Sequence, residues 1–273
     1  MRALRLYAPS LTGDHTLCYI HADSAGESCV NEVRTKITYA EAGTDLLTDH
    51  YSDKMTIVLP CGTGLGDGDF LAVEDGDLLL RWEEASGRFK VVKPGFLSVS
   101  ARVSVWKTIR TAILTVSDKG SRGEREDTAG PELERLVTGL GGVVSGKMIV
   151  PDERDVIART LKEWCGEGFD LILTTGGTGL SQRDVTPEAL MDIAEKTVPG
   201  FGEMMRMRTL KYTERAFLTR SLAVICGKTL VIAFPGSRRG AAQCFEAIAP
   251  ALRHGVEILA GWDAECGGHR HCR

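Results

Sequence analysis

No stretch of this 273-residue chain approaches the roughly 18–20 consecutive apolar residues of a membrane-spanning helix. The opening segment, MRALRLYAPSLTGDHTLCYIH, has no apolar core of the length a secretion signal needs. A cytoplasmic protein without membrane contact is therefore expected. No excess of basic charge is present. The formal net charge is -4 and the isoelectric point is near 5.9, against the usual balance of a dedicated nucleic-acid binder. No CxxC pair occurs among the eight cysteines, at Cys18, Cys29, Cys61, Cys165, Cys226, Cys244, Cys266 and Cys272. In a reducing compartment free thiols are expected, several of them in the core. The terminal cluster Cys266, His269, His271 and Cys272 lacks the spacing of a zinc finger or knuckle. Internal repeats and low-complexity tracts are also missing.

What is present is ample core material, 43% hydrophobic and 26% charged residues, in a length that suits two domains. Residues 1–105 alternate short apolar stretches with turns: Leu4–Tyr7, Thr16–Ile20, Met55–Leu59, Asp69–Val73 and Leu78–Trp82. Phe89–Val92 and Leu97–Val99 add further candidates. Glu74-Asp75-Gly76-Asp77 carries the Asp-Gly pair of a tight hairpin. A small β-rich domain, a barrel or open roll, is expected. Leu59 to Gly76 resembles one hairpin of the N-terminal domain of urease nickel chaperones, a generic construction that assigns no function. Gly62-x-Gly64-x-Gly66 is no dinucleotide fingerprint, because no helical pattern follows and Asp67 and Asp69 repel phosphate.

From Ile109 the texture becomes α/β. Ile109–Val116 is nearly continuous in apolar residues, as in a parallel strand covered on both faces. Helices are expected from Asp127 or Thr128 to Leu140, from Arg154 to Cys165, from Pro187 to Ala194, beyond Val198, and from Arg238 to Leu259. Strands are expected at Val143–Val150, Leu171–Thr175, Leu222–Cys226 and Thr229–Phe234. A flexible tail is expected over residues 261–273. The chain is organised around LILTTGGTGLSQRDVTPE, residues 171–188. It reads as strand, glycine turn, charged loop and helix, with Thr186 at the cap and Pro187 in the first turn. α/β proteins present backbone N–H groups to a phosphate in this order.

Three strand ends carry polar loops with glycine: Ser117–Gly123, Gly176–Asp184 and Pro235–Gly240. In a parallel sheet they converge on one crevice. Gly176-Gly177-Thr178-Gly179 and Gly236-Ser237 offer N–H groups. Lys119, Arg122, Arg183, Arg220, Arg238 and Arg239 offer positive charge, and Asp152 and Asp184 offer hard oxygen ligands for Mg²⁺ held together with phosphates. Structural readings stand beside these. The glycines make a tight turn in many proteins, and Asp152, Asp184, Asp118 and Asp127 are all potential helix caps or loop residues.

The ordered motifs Thr115-Val116-Ser117-Asp118-Lys119, Asp127-x-x-Gly130-Pro131, Pro151-Asp152-Glu153, Thr174-Thr175-Gly176-Gly177-Thr178-Gly179, Arg183-Asp184-Val185-Thr186-Pro187-Glu188, Pro199-Gly200-Phe201-Gly202-Glu203 and Pro235-Gly236-Ser237 resemble the MogA/MoaB molybdopterin-binding family. The resemblance spans residues 109–260. It implies a three-layer α/β/α domain with a mostly parallel sheet, over residues 106–260, commonly trimeric. It also implies Mg²⁺-dependent transfer of AMP from ATP to molybdopterin, followed by hand-over to a MoeA-like molybdenum-insertion protein. It puts catalysis and Mg²⁺ on Asp152 and Asp184. Substrate contacts fall on Ser117, Asp118, Lys119, Gly176, Gly177, Thr178, Gly179, Arg183, Glu188, Arg220, Pro235, Gly236 and Ser237. Departures are Lys119 for a frequent Arg, Leu218-Thr219-Arg220-Ser221 for Leu-Ser-Arg-Ala, and Ser237-Arg238-Arg239 for Ser-Pro. Two other functions compete: a non-catalytic molybdopterin carrier whose N-terminal domain docks a partner, and MoeA-type metal insertion, for whose additional domains the chain lacks room.

Overall fold

The computed structural model of the chain describes residues 5–7, 17–30, 33–41, 54–59, 62–73, 76–98 and 103–262. The chain forms two units, Met1–Thr108 and Ile109–Arg273. Every described regular element of the first unit is a strand, apart from one 3-10 turn, Glu84–Ser86. The strands are β1 (Arg5–Tyr7), β2 (Leu17–Ala22), β3 (Ser28–Val30), β4 (Val33–Arg34), β5 (Lys36–Glu41), β6 (Lys54–Leu59), β7 (Phe70–Val73), β8 (Leu78–Glu83), β9 (Arg88–Lys93), β10 (Gly95–Ser98) and β11 (Val103–Trp106). They pair into three small sheets, ordered β1-β6-β5, β10-β2-β3-β4 and β11-β7-β8-β9.

The expected hairpin is there, with Val73 opposite Leu78 and Asp77 in the left-handed region. Its Glu74-Asp75 lie outside the described residues, as does Cys61. Four strands of this unit, β3 to β5 and β11, were not anticipated, and β5 lies parallel to β6. One core joins the sheets, including Ile20, Ile37, Met55, Leu71, Leu80 and Phe89. Tyr39, Trp82 and Phe89 meet edge-on within it, the geometry aromatic quadrupoles favour.

The second unit is built on one six-stranded sheet. Its strands are β12 (Ile109–Val116), β13 (Gly142–Val150), β14 (Leu171–Thr175), β15 (Lys196–Thr197), β16 (Ala223–Cys226) and β17 (Thr229–Phe234), in the order β13-β12-β14-β17-β16-β15. The first four in that order run parallel, and β16 and β15 run antiparallel at one edge. Five helices lie in the connections, α1 (Asp118–Ser121), α2 (Ala129–Thr138), α3 (Arg154–Gly166), α4 (Thr186–Ile193) and α5 (Pro199–Thr209), and α6 (Arg238–Ala260) follows the last strand.

The strands sort their side chains with period two onto the two faces. Leu171, Leu173, Leu230, Ile232 and Phe234 join α2, α5 and α6 in one core. Ile172, Val231 and Ala233 join α3 and α4 in the other. The result is the expected three-layer α/β/α fold. The apolar faces foreseen on α2 and α3 are the buried ones, through Leu133 and Val137 and through Ile157, Leu161 and Trp164.

The tail reading needs a correction at its start. Gly261, at φ 71, closes α6 through bonds from its N–H to carbonyls of the last turn. Trp262 packs against the core. The remaining tail, with Cys266, His269, His271 and Cys272, lies outside the described residues.

Candidate active site

The carboxyl ends of β12, β13, β14 and β17 meet along one edge of the sheet, and the chain there is held by short polar links. The Ser117 N–H donates to the Val150 carbonyl at 2.9 Å, joining β12 to β13. Beyond that link, Asp118 and Asp152 bond each other reciprocally. The Asp118 N–H donates to Asp152 Oδ2 at 2.7 Å, and the Asp152 N–H donates to Asp118 Oδ1 at 3.1 Å. Arg183 reaches across from the glycine loop and donates from Nη2 to both Asp118 oxygens at 2.7 Å. Three chain segments far apart in sequence are thereby fixed at one point.

The glycine turn completes the edge. Gly176 and Gly177 have φ 102 and 61, values that only glycine adopts readily. The Gly176 N–H donates to the Phe234 carbonyl at 3.1 Å, and Thr175 Oγ1 donates to the Pro235 carbonyl at 2.8 Å. Thr186 does not cap α4, contrary to expectation. It is the first helical residue, and its hydroxyl donates to the Gly176 carbonyl at 2.8 Å. Neither aspartate of the candidate pair caps a helix. Asp184 Oδ2 accepts the Ser181 N–H at 2.9 Å within its own loop. True caps are Ser117 on α1 and Ser237 on α6, whose hydroxyls accept from the N–H groups of Gly120 and Gly240.

A cavity of about 500 Å³ opens over this edge. Of the expected residues, Ser117, Asp152, Gly176, Gly177, Gly236 and Ser237 line it. Asp118 and Arg183 do not line it, and reach it only through the bonds of Asp118 to Asp152. Lys119 is exposed. Thr178, Gly179, Asp184, Glu188 and Arg220 form a brace beside the cavity. Arg220 Nε donates to the Gly179 carbonyl at 2.8 Å, its backbone N–H donates to the Thr178 carbonyl at 2.8 Å, and its guanidinium pairs with Glu188 and with the Asp184 carbonyl. Arg220 and Glu188 thus shape the loop rather than line the cavity. Pro235 contributes its carbonyl to Thr175.

Sequence reasoning overlooked Arg125, Glu126 and Thr128 in the cavity wall, because a loop without a motif gives no periodic signal. Asp127 also lines the cavity, and both of its oxygens are bonded within the protein. Its Oδ1 accepts from the N–H groups of Ala129 and Gly130, and its Oδ2 accepts the Thr115 hydroxyl at 2.6 Å. Arg238, also in the wall, is oriented by Glu132. One Glu132 oxygen accepts from Arg238 and the other from Arg135.

The carboxylates differ in electrostatic setting. Burial pushes the Asp152 carboxyl above its ordinary value, and the charges of Asp118 and Asp184 push the same way. The Arg183 guanidinium, bonded to Asp118, holds that carboxyl below the ordinary range. Of these two carboxylates, Asp152 is therefore the one whose charge its surroundings disfavour. Among the described residues no group of three or more His, Cys, Asp or Glu side chains is arranged to hold a metal. The donor set fits an ion that takes one or two protein carboxylates and completes its shell with phosphate and water, the habit of Mg²⁺.

The family model for the "Probable molybdopterin binding domain" matches residues 112–254. The chain belongs to this molybdopterin-binding family. A protein named molybdopterin adenylyltransferase from Helicobacter pylori strain J99 is 40% identical over 158 residues, which are 57% of this chain and 90% of the relative. A protein of the same name from Escherichia coli K12 is 35% identical over 156 residues, 55% of this chain and 80% of the relative. Among solved structures, the molybdopterin biosynthesis enzyme MoaB from Thermus thermophilus superposes with a TM-score of 0.54 at 44% identity, covering 56% of this chain and 97% of that one. No helix among the described residues is long and apolar enough to cross a membrane.

The Glu132 network yields a pH test. Hydrogen bonds from Arg135 and then Arg238 hold the Glu132 carboxyl below its ordinary value of 4.5. A depressed pKa adds stability above the unfolded-state value, and that stability is lost as pH falls through the folded-state value. Glu132→Gln is expected to lower the unfolding free energy by about 1–2 kcal/mol at pH 7. In denaturant titrations the difference should shrink steadily below pH ~4.5; a deficit independent of pH would contradict the ion-pair account.

Proposed function

We propose that the second unit transfers AMP from ATP to molybdopterin with release of pyrophosphate. The observation that carries this reading is the cavity wall itself. The Gly176-Gly177 turn, the capped start of α6 and Asp152 face one space, joining an anion cradle to a carboxylate of raised pKa. In the reaction a terminal phosphate oxygen of molybdopterin attacks the α-phosphorus of ATP. The bond between the α-phosphorus and the bridging oxygen breaks, and the electron pair leaves with pyrophosphate. Mg²⁺, when bound, neutralises phosphate charge.

Asp152 and Asp184 would hold that ion. The Gly177 N–H and the first N–H groups of α6 orient the phosphates, the Gly176 N–H being held by the Phe234 carbonyl, and Arg125 and Arg238 add positive charge at the rim. Asp118, locked by Arg183, keeps Asp152 in place. The chain's groups act by positioning and by electrostatics, as suits a transfer that needs no covalent enzyme intermediate. Such an activity belongs in the cytoplasm, where ATP is available.

Purified protein given molybdopterin, ATP and Mg²⁺ should release pyrophosphate and form adenylylated molybdopterin. Binding of molybdopterin without turnover would leave the carrier function in its place. Asp184→Asn should keep the fold and lower turnover by about 10²-fold or more; unchanged turnover would remove Asp184 from the catalytic set.

We further propose that three chains associate through the surface around α5. Met204 and Met207 on that helix are exposed, as are Tyr212, Phe217 and Leu218 beside it, with Met207 at 67% and Phe217 at 65%. Several large apolar side chains exposed on and beside one helix mark a contact with another protein. Light scattering should give three times the 29.6 kDa chain mass, and Phe217→Asp should shift it toward one. A monomeric parent chain would overturn the assignment.

A further inference from the structure

The first unit is acidic overall, with 15 Asp and Glu against 11 Lys and Arg in residues 1–108. Its positive charge is not spread evenly. Three of its basic side chains, Arg34, Lys36 and Arg88, converge on a cavity of about 180 Å³ that is completed by Glu27, Ser28 and Thr35. The fold brings them together from separate strands. Arg34 ends β4, Lys36 begins β5, and Arg88 begins β9. The Thr35 N–H donates to the Ser28 carbonyl at 2.9 Å, which ties β3 to the link between β4 and β5. Thr35, only 7% exposed, forms part of the buried wall.

The charges around the cavity do not cancel. Arg34 donates from one terminal nitrogen to Asp23 Oδ2 at 2.6 Å. The other oxygen of Asp23 is committed to its own turn, accepting from the N–H groups of Ala25 and Glu27 at 2.8 and 3.0 Å. Arg88 donates from Nη1 to Glu27 Oε2 at 2.8 Å. Each guanidinium carries five N–H donors, so both keep donors beyond these bonds. Lys36 has no ion-pair partner among the described residues. Among the described residues the wall thus holds three cations against one anion, and counting Asp23 still leaves one positive charge in excess.

We propose that this cavity binds a small tetrahedral oxyanion of the phosphate, sulfate or molybdate class. Its volume suits one such anion with a few waters and is too small for a nucleotide or a pterin. Lys36 supplies a compact charge, and the spare guanidinium N–H groups of Arg34 and Arg88 supply directed donors. Glu27 keeps Arg88 turned toward the anion. The site lies wholly within the first unit and does not depend on the adenylyl-transfer reading.

Isothermal titration calorimetry of the full chain with phosphate, sulfate and molybdate, each in a non-coordinating buffer, tests the site. The expected result is saturable binding that Lys36→Ala and Arg34→Ala each weaken about tenfold, the effect of losing one charge-assisted contact. Lys36→Arg should retain it. The cavity of the second unit also offers anion contacts, so Arg125→Ala serves as the separating variant and should leave this binding intact. The three anions rank by affinity, and that ranking identifies the preferred one. Absence of saturable binding, or binding lost in Arg125→Ala and kept in Lys36→Ala, would overturn the proposal. Circular dichroism confirms the fold of each variant. If both alanine variants fail to fold, Lys36→Glu and Lys36→Met replace them, and undiminished binding by either would likewise overturn it.

Discussion

A β carbon at residue 176 would sit 2.1 Å from the carbonyl oxygen of Val116, well inside van der Waals contact. That single approach of β14 to β12 governs the rest of the site. It lets the chain turn sharply at the end of β14 and leaves Gly177 beside Asp152, where a β carbon would lie 3.2 Å from a carboxylate oxygen. It also keeps the Gly176 N–H on the Phe234 carbonyl, so that β17 delivers Pro235-Gly236-Ser237 to the same edge. No side chain can be accommodated at the junction without separating two central parallel strands. The cavity follows from a backbone contact before any functional side chain is considered.

Around that junction the carboxylates divide their work by environment. Asp118 is satisfied by Arg183 and by the Asp152 N–H, and it serves as a fastener between loops. Asp152 accepts the Asp118 N–H yet faces the cavity, where burial disfavours its charge. A partly buried carboxylate that lacks a dedicated cationic partner is one whose charged form the fold disfavours. Behind the rim, Glu132 performs the opposite task. It is nearly buried, at 8% exposed, and spends its charge on two guanidiniums, one of which forms part of the cavity wall.

Much of the second unit was legible from residue pattern. Ile109–Val116, Leu171–Thr175 and Thr229–Phe234 are apolar enough to be buried on both faces, and glycine with polar residues after each strand marks the functional edge. Geometry that links distant residues was not legible. Nothing in the spacing of Asp118 and Asp152 announces a reciprocal bond, and Thr186 looks like a helix cap until its hydroxyl is seen on the Gly176 carbonyl. Arg220 was expected to bring positive charge to the crevice and the family resemblance placed Glu188 among the substrate contacts, whereas their pairing braces the loop. In the first unit β3 and β4 are too short and too polar to alternate visibly. The parallel partnership of β5 with β6 arises from tertiary packing alone. The cationic cavity escaped notice for the same reason, since Arg34, Lys36 and Arg88 acquire meaning only when β4, β5 and β9 are brought together.

The central claim is that the joined ends of β12, β14 and β17 form one cradle for molybdopterin. Amide hydrogen exchange of the full chain, with and without molybdopterin, tests it most directly. The account predicts slowed exchange at residues 117–120, 175–179 and 236–240 together, with little change at the outer strands β15 and β16. Protection confined to one of these loops, or falling elsewhere in the chain, would contradict it.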